Sequence, residues 1–312
     1  MNAVISRFQP FELSNDVDYL SWRAWKLVGY PRRAEQLLVP VRDPQCLSAA
    51  EHAAILGHCR KANMAIYQVT GARAADKAAI RGLGRQFGLE SLDMNLRADE
   101  DSITTITVVP ESTGTHYIPY TNKALNWHTD GYYNPPQEQV RAIVMHCAAE
   151  ADHGGDNLFL DPEIAYILLR DENPGFIRAL MQPDVMTIPA NVEQGREIRA
   201  AQSGPVFSLE KSSHALHMRY TARSRSIVWK GDAIARNAVE FLRELLDGDS
   251  PWLIRHHLQA GQGIICNNVL HKREAFADHG ARKRVLYRAR YHERIRATVA
   301  DADCYGERIC SG

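Results

Sequence analysis

Three residues far apart in the chain set the hardest constraint on how it folds. The stretch Asn126-Trp127-His128-Thr129-Asp130-Gly131 places a histidine and an aspartate with one residue between them. On an extended strand alternate side chains point to one face, so an imidazole and a carboxylate at i and i+2 are presented together. That suits two ligands meeting at one metal, and a third has to come from elsewhere. The best placed candidate is His271, in Asn267-Asn268-Val269-Leu270-His271, just after the apolar run Gly263-Ile264-Ile265-Cys266. Two histidines and one carboxylate on one face of an octahedral ion leave three positions open, an arrangement that suits non-haem Fe(II). A His-x-Asp triplet alone says little in a chain with 13 histidines, most of which serve on the surface or at caps. The triplet gains its weight from what accompanies it.

Composition removes several classes. Lys plus Arg and Asp plus Glu are equal at 37 each, so no global basic field draws nucleic acid or a membrane surface. No apolar run is long enough to span a bilayer, and the first ten residues lack the apolar core of a signal peptide. Six cysteines, at 46, 59, 147, 266, 304 and 310, form no Cys-x-x-Cys pair and read as reduced thiols of a cytoplasmic protein. At 312 residues the chain is near the upper end for one hydrophobic core.

The apolar pattern predicts mainly strands with flanking helices. Ser48 and Glu51 form a capping box that starts a helix over 49–62, and 64–69 reads as a buried strand. A second helix is expected over about 74–87, closed by Gly88. Gly82, Gly84 and Gly88 do not have the dinucleotide-binding spacing. From Ile103 onward the texture changes: 103–109 is rich in β-branched residues and reads as a strand, and further strands are expected at 140–148, 157–160, 258–266 and 284–291. Residues 170–215 read as a long insertion with a few strands, and 217–226 as extended. A helix is expected to begin at 162, and apolar spacing predicts another over 233–246. Many strands with Gly/Pro turns and outer helices suggest a double-sheet jelly roll, whose mouth can hold a metal and a small acid. Residues 1–45, with Trp22, Trp25, Leu27 and Tyr30, are expected to be an extension packed on the core or on a partner subunit. Residues 46–295 are expected to form a single domain and 296–312 a polar tail.

The last strand, Arg284-Val285-Leu286-Tyr287-Arg288-Ala289-Arg290-Tyr291, places Arg284, Leu286, Arg288 and Arg290 on one face. Such a face is either solvated, as arginines usually are, or buried as a clamp for carboxylates, which guanidinium binds in bidentate fashion. The strand alone leaves both readings open.

In order along the chain, His128-x-Asp130, Gly154-Gly155-Asp156-Asn157, His271 and Arg284-x-x-x-Arg288 resemble the taurine dioxygenase family of Fe(II)/2-oxoglutarate oxygenases. That wider group includes clavaminate synthase and γ-butyrobetaine hydroxylase, and the match runs over about residues 50–292. Tyr132-Tyr133 with Pro135-Pro136, and His146-Cys147, are more similar to the butyrobetaine branch. The resemblance implies that His128, Asp130 and His271 ligate iron and that Arg284 holds the far (C5) carboxylate of 2-oxoglutarate. It places Arg288 near the C1 carboxylate or a substrate anion. Asn157 stands where taurine dioxygenase has a threonine that helps bind the cosubstrate. The family's arginines follow the distal histidine at slightly shorter offsets, which implies an insertion at 278–281. The implied reaction uses O2, converts 2-oxoglutarate to succinate and CO2, and oxidises a C–H bond of a small molecule.

For that substrate the candidates are Tyr120, Tyr132, Tyr133 and Arg288, with His116, Tyr117, Arg219, Arg223 and Trp229 behind them. An aromatic cage for a quaternary ammonium and an anion held by Arg288 both stay open. A homo-oligomer is expected. The competing class is a non-catalytic jelly roll that binds metal and 2-oxoglutarate, and an intact acid clamp argues against it. A zinc hydrolase is disfavoured because no His-Glu-x-x-His is present.

Overall fold

A computed structural model describes residues 8–71, 75–94, 99, 101–109, 118–223, 227–278 and 283–296. His116, Tyr117, Cys304, Cys310, most of the expected 278–281 insertion and the tail from 297 lie outside the described residues. The helices are α1 (Asp16–Leu27), α2 (Ala49–Ala62), α3 (Lys77–Arg85), α4 (Pro162–Glu172), α5 (Pro174–Leu180) and α6 (Ala233–Asp247). Ten strands build the two larger sheets. They are β1 (Leu38–Val41), β2 (Met64–Val69), β3 (Thr104–Ile106), β4 (Leu125–His128), β5 (Ala142–Ala149), β6 (Asn157–Leu160), β7 (Ile254–His256), β8 (Gln262–Cys266), β9 (Leu270–Arg273) and β10 (Val285–Tyr291). The molecule is therefore mostly β with some helices. Backbone contacts divide it into two units. One comprises Met1–Tyr30, Pro162–Arg219 and Arg223–Ser250; the other comprises Pro31–Asp161, Tyr220–Ala222 and Pro251–Gly312.

The second unit carries both larger sheets. The six-stranded sheet has the order β1-β2-β8-β5-β10-β3, and the four-stranded sheet the order β7-β6-β9-β4. All neighbours are antiparallel except β1 and β2. Strand alternation gives the larger sheet two different faces. Ala142, Val144, Ile265, Ala289 and Tyr291 point to one side, where Ile55, Leu56 and Cys59 of α2 and Ile80 and Leu83 of α3 cover them. Each such fully buried Ile or Leu contributes about 1.5–3 kcal/mol. The intervening residues, among them Ile143, Met145, Ile264, Leu286 and Arg288, line a pocket on the other side.

The local signals for α2 hold. The Ser48 hydroxyl accepts from the Glu51 N–H at 3.3 Å, and the Glu51 carboxylate accepts from the Ser48 N–H at 2.7 Å. The helix ends at Asn63 in a left-handed conformation (φ 55°). Gly263 has a similarly local reason: a Cβ there would overlap the Tyr67 ring and the Met145 carbonyl.

In the first unit, α1 was not anticipated. Asn15 caps it by accepting from the Asp18 N–H at 3.1 Å. Trp22 meets Phe11 edge-on at 4.9 Å and Tyr166 of α4 at 6.4 Å. Lys26 is fully buried and donates to Glu163 of α4 at 2.5 Å. Trp25, by contrast, is exposed. The stretch read as a polar insertion contains α5, whose Phe176 ring lies 6.1 Å from Phe241 of α6. Short strands follow at Met186–Ile188, Asn191–Glu193, Arg196–Arg199, Gln202–Gly204 and Phe207–Leu209. Of the extended run expected over 217–226, a strand forms at Leu216–Met218, and 224–226 lie outside the described residues.

Candidate metal centre and cosubstrate pocket

Strand pairing brings the three distant residues together. In the antiparallel pair β9–β4, His271 stands directly opposite His128, with ring centroids 4.3 Å apart. One ligand atom from each of His128, Asp130 and His271 lies within 4.8 Å of the others, and among the described residues this is the one such group. Asp130 reaches the site differently from the sequence expectation. Strand β4 ends at His128, and Asp130 sits in the turn beyond it. The turn needs Gly131, whose φ is +68° and where a Cβ would run into Val140.

Asn268 fixes that turn. Its Oδ1 accepts from the Asp130 N–H at 2.8 Å, and its Nδ2 donates to the Asp130 and Val140 carbonyls at 2.9 and 2.6 Å. Asn268 itself has φ 50°, which an asparagine tolerates better than most residues. Sequence reading quoted Asn268 only as a neighbour of His271 and missed this role.

The histidine tautomers follow from the backbone. Nδ1 of His128 lies 2.8 Å from the Asn126 carbonyl, and Nδ1 of His271 lies 2.9 Å from the Val269 carbonyl. A carbonyl only accepts, so each Nδ1 carries the proton and each Nε2 offers its lone pair to the site. Burial, then the neighbouring His128, pushes the His271 imidazole down to about 4, which keeps it neutral at ordinary pH. Burial alone would raise the Asp130 carboxyl. The charges of the Arg288 and Arg290 guanidinium groups outweigh it and hold the group well below the usual carboxylate range. A neutral His271 beside an ionised Asp130 is the state a divalent ion requires.

The pocket next to this cluster lies between the two larger sheets. His271, Asn157, Phe159, Leu125 and Arg273 come from the four-stranded sheet. Arg284 and Arg288 line it too, although a bulge between Val285 and Leu286 interrupts the alternation of β10. The solvated reading of the arginine face is excluded: Arg284 is 4% exposed, the Arg288 side chain 10% and Arg290 3%. The three have different fates. Arg288 Nη1 lies 3.2 and 3.1 Å from the two Asp130 oxygens. Arg290 is occupied by Asp93 and by the Tyr133 hydroxyl, which accepts at 2.9 Å. Arg284 forms no ion pair among the described residues; its side chain stacks on Phe276 at 5.0 Å, and burial lowers its pKa. Asn157 is buried and reaches the Gly155 carbonyl at 3.4 Å.

The remaining candidates separate. The Tyr132 ring meets His128 edge-on at 6.4 Å and Tyr133 at 5.1 Å, so it stands beside the cluster. Tyr133 is committed to Arg290. Tyr120 is buried in the turn before β4. Arg219 donates to the Met186, Gly204 and Gln202 carbonyls within the helix-rich unit, a structural use. Arg223 is exposed and Trp229 partly exposed. Arg273, not singled out from sequence, lines the pocket and is buried.

Residues 32–290 match the family described as taurine catabolism dioxygenase TauD, TfdA family. The chain belongs to that family. It is accordingly an Fe(II)- and 2-oxoglutarate-dependent dioxygenase. A uridine-5'-phosphate dioxygenase from an Amycolatopsis species is 27% identical over 280 residues, covering 85% of this chain and 99% of the relative. Another, from a Streptomyces species, is 29% identical over 223 residues, covering 68% and 77%. Among solved structures, AAD-2 in complex with Mn(II) and N-oxalylglycine is similar with a TM-score of 0.59 at 11% identity, covering 84% of this chain and 96% of its own. Asparagine oxygenase in complex with Fe(II), 3-hydroxyasparagine and succinate gives 0.54 at 15%, covering 78% and 80%. At these identities the structural likeness concerns the fold.

The residues of this family member fit a divalent ion. The donor set is two imidazole nitrogens and a carboxylate. Asp130 Oδ2 is buried without an aligned hydrogen-bond donor, although Arg288 Nη1 is close.

Proposed function

We propose that His128, Asp130 and His271 bind the Fe(II), that Arg284 and Asn157 hold the far carboxylate of 2-oxoglutarate, and that the oxidised substrate is a nucleoside phosphate. The observation that carries the site reading is the buried two-histidine, one-carboxylate cluster beside a pocket containing an arginine with no ion-pair partner among the described residues. A buried cation without a direct ion pair is costly, and a dicarboxylate supplies that partner. Bound Fe(II) supplies the redox chemistry by which O2 and 2-oxoglutarate oxidise a C–H bond. The chain's own part is to fix the ligands and exclude water. The two carbonyl-anchored imidazoles and the Asn268-anchored turn hold the donor atoms in place before any ion binds.

Arg288 bridges from Asp130 towards the pocket, so it serves the near end of the cosubstrate or a substrate anion. Tyr132, beside His128, is positioned for the substrate; Tyr120 remains a candidate, and Tyr133 acts through Arg290. The nucleotide reading rests on the two relatives that act on uridine-5'-phosphate. We take the two sheets that face the pocket as a double-stranded β-helix, the jelly-roll form. We keep one catalytic domain over 46–295, with residues 38–41 of the N-terminal extension pairing with its sheet. We further propose a cytoplasmic homo-oligomer. Free thiols at Cys46, Cys59, Cys147 and Cys266 support the compartment, and sedimentation tests the assembly.

The test incubates the chain with Fe(II), 2-oxoglutarate and O2, with and without uridine-5'-phosphate, and measures succinate. Succinate that rises with uridine-5'-phosphate, together with an oxidised nucleotide, is the expected result. Succinate that forms without any response to nucleotides removes the substrate proposal and leaves the site reading standing.

A further inference from the structure

Arg273 is a buried cation whose Nη groups hold backbone carbonyls but whose Nε has no partner. It lies two residues beyond His271 on β9 and stands opposite Asn157 of β6 in register. It lines the same pocket as Asn157 and Arg284. The guanidinium groups of Arg273 and Arg284 lie 4.8 and 5.0 Å from the centroid of one ring, that of Phe276. Neither forms an ion pair among the described residues. Two buried cations around one ring repel each other; the Asp278 carboxylate, which accepts from the Arg284 backbone N–H at 3.2 Å, acts on Arg284 but forms no ion pair with either guanidinium.

The Arg273 Nη groups are used. They donate to the Pro119 carbonyl at 3.4 Å, to that of Thr121 at 2.9 Å and to that of Lys123. These carbonyls satisfy hydrogens and pin the plane of the guanidinium, but they bring no negative charge. Nε, the remaining donor, is buried and has no partner. A pinned guanidinium with one unsatisfied N–H, beside a second arginine whose side chain forms no ion pair among the described residues, is prepared for a carboxylate.

We infer that Arg273 is a second arginine of the far-carboxylate site, donating through Nε–H to the same 2-oxoglutarate carboxylate that Arg284 holds. This inference rests on the 2-oxoglutarate site proposed above. Phe276 supports both guanidinium planes, and Asn157 faces Arg273 across the strand pair. Because its other donors hold the turn at 118–123, Arg273 also ties cosubstrate binding to the segment that carries Tyr120.

The experiment compares two probes, 2-oxoglutarate and 2-oxopentanoate, a 2-oxo acid of the same length without the far carboxylate. Each is titrated anaerobically into the Fe(II)-loaded parent, Arg273→Gln and Arg273→Lys, following the metal-to-ligand charge-transfer absorption. Thermal unfolding of each variant is recorded alongside. Arg273→Gln is expected to weaken 2-oxoglutarate at least about tenfold while 2-oxopentanoate changes less than about twofold. Arg273→Lys keeps the charge, loses the fork, and falls between; it also serves if Arg273→Gln does not fold. Equal losses for both probes, or no loss for either, overturn the inference, because a purely structural arginine does not distinguish the two acids. If Arg284→Ala weakens 2-oxoglutarate and the Arg273 variants do not, this inference alone fails. A parent that shows no charge-transfer band with 2-oxoglutarate overturns the site reading and this inference with it.

Discussion

Replacing Asn268 by alanine should damage both the fold and the metal site. The side chain satisfies one backbone N–H and two carbonyls, all buried. A buried donor or acceptor left without a partner costs about 1–3 kcal/mol, and the Asp130 N–H loses the one acceptor described for it. Alanine at φ 50° adds about 1–2 kcal/mol of left-handed strain. Together these give roughly 2–5 kcal/mol, a large share of the 5–15 kcal/mol that stabilises an ordinary domain. Asn268→Gly removes the strain and keeps the hydrogen-bond loss, so it should recover about 1 kcal/mol relative to alanine. Urea denaturation gives the stability, and titration with Co(II) gives the metal affinity. Asp130 is expected to lose its anchor, and Co(II) binding to weaken at least about tenfold, worth about 1.4 kcal/mol. If Asn268→Ala stays within 1 kcal/mol of the parent, or binds Co(II) as the parent does, the reasoning about the turn is wrong.

Arg284→Ala should weaken 2-oxoglutarate by roughly 30- to 1000-fold, the scale of a lost charge-assisted bidentate contact of about 2–4 kcal/mol, with metal binding nearly unchanged; anaerobic titration reads both. His146 is buried beside the Tyr67 hydroxyl, and burial pushes its pKa from 6.5 down to about 4. The unfolded chain therefore takes up a proton at His146 near pH 6.5 and the folded chain does not. Its contribution to stability is full above that pH and falls by roughly 3 kcal/mol as pH drops to 4. Denaturation of the parent and of His146→Gln at pH 7 and pH 4.5 checks this, and equal pH slopes would refute it. Gly263→Ala should destabilise by several kcal/mol because the methyl has no space between Tyr67 and the Met145 carbonyl; Tyr67→Ala in the same chain should recover part of that loss.

The sequence carried the elements whose signals are local. The Ser48 and Glu51 pair marked the start of α2, and short runs of apolar and aromatic residues marked β5, β6, β8 and β10. It missed α1 because that helix is apolar on two sides: Tyr19 and Trp22 are buried while Val17, Leu20 and Trp25 are exposed. No single stripe emerges from such a pattern. The candidate ligand set could be picked out because His-x-Asp and the later histidine stand in a recognisable order, and the fold brings the three together. The strand expectation for Asp130 was wrong in detail, since Gly131 bends the chain one residue further on. Asn268 and Arg273 were not legible because their roles depend on which backbone groups the fold places beside them. The fate of Arg290 likewise depended on Asp93, a residue almost two hundred positions away.

The most direct test of the account is an anaerobic titration of Fe(II), in the presence of 2-oxoglutarate, into the parent chain and Asp130→Ala. The parent is expected to bind one Fe(II) per chain and to develop the charge-transfer absorption of chelated 2-oxoglutarate, and Asp130→Ala to lose that absorption while unfolding at a similar temperature. An Asp130→Ala chain that binds Fe(II) and develops the same absorption as the parent would contradict the assignment of His128, Asp130 and His271 as the iron centre.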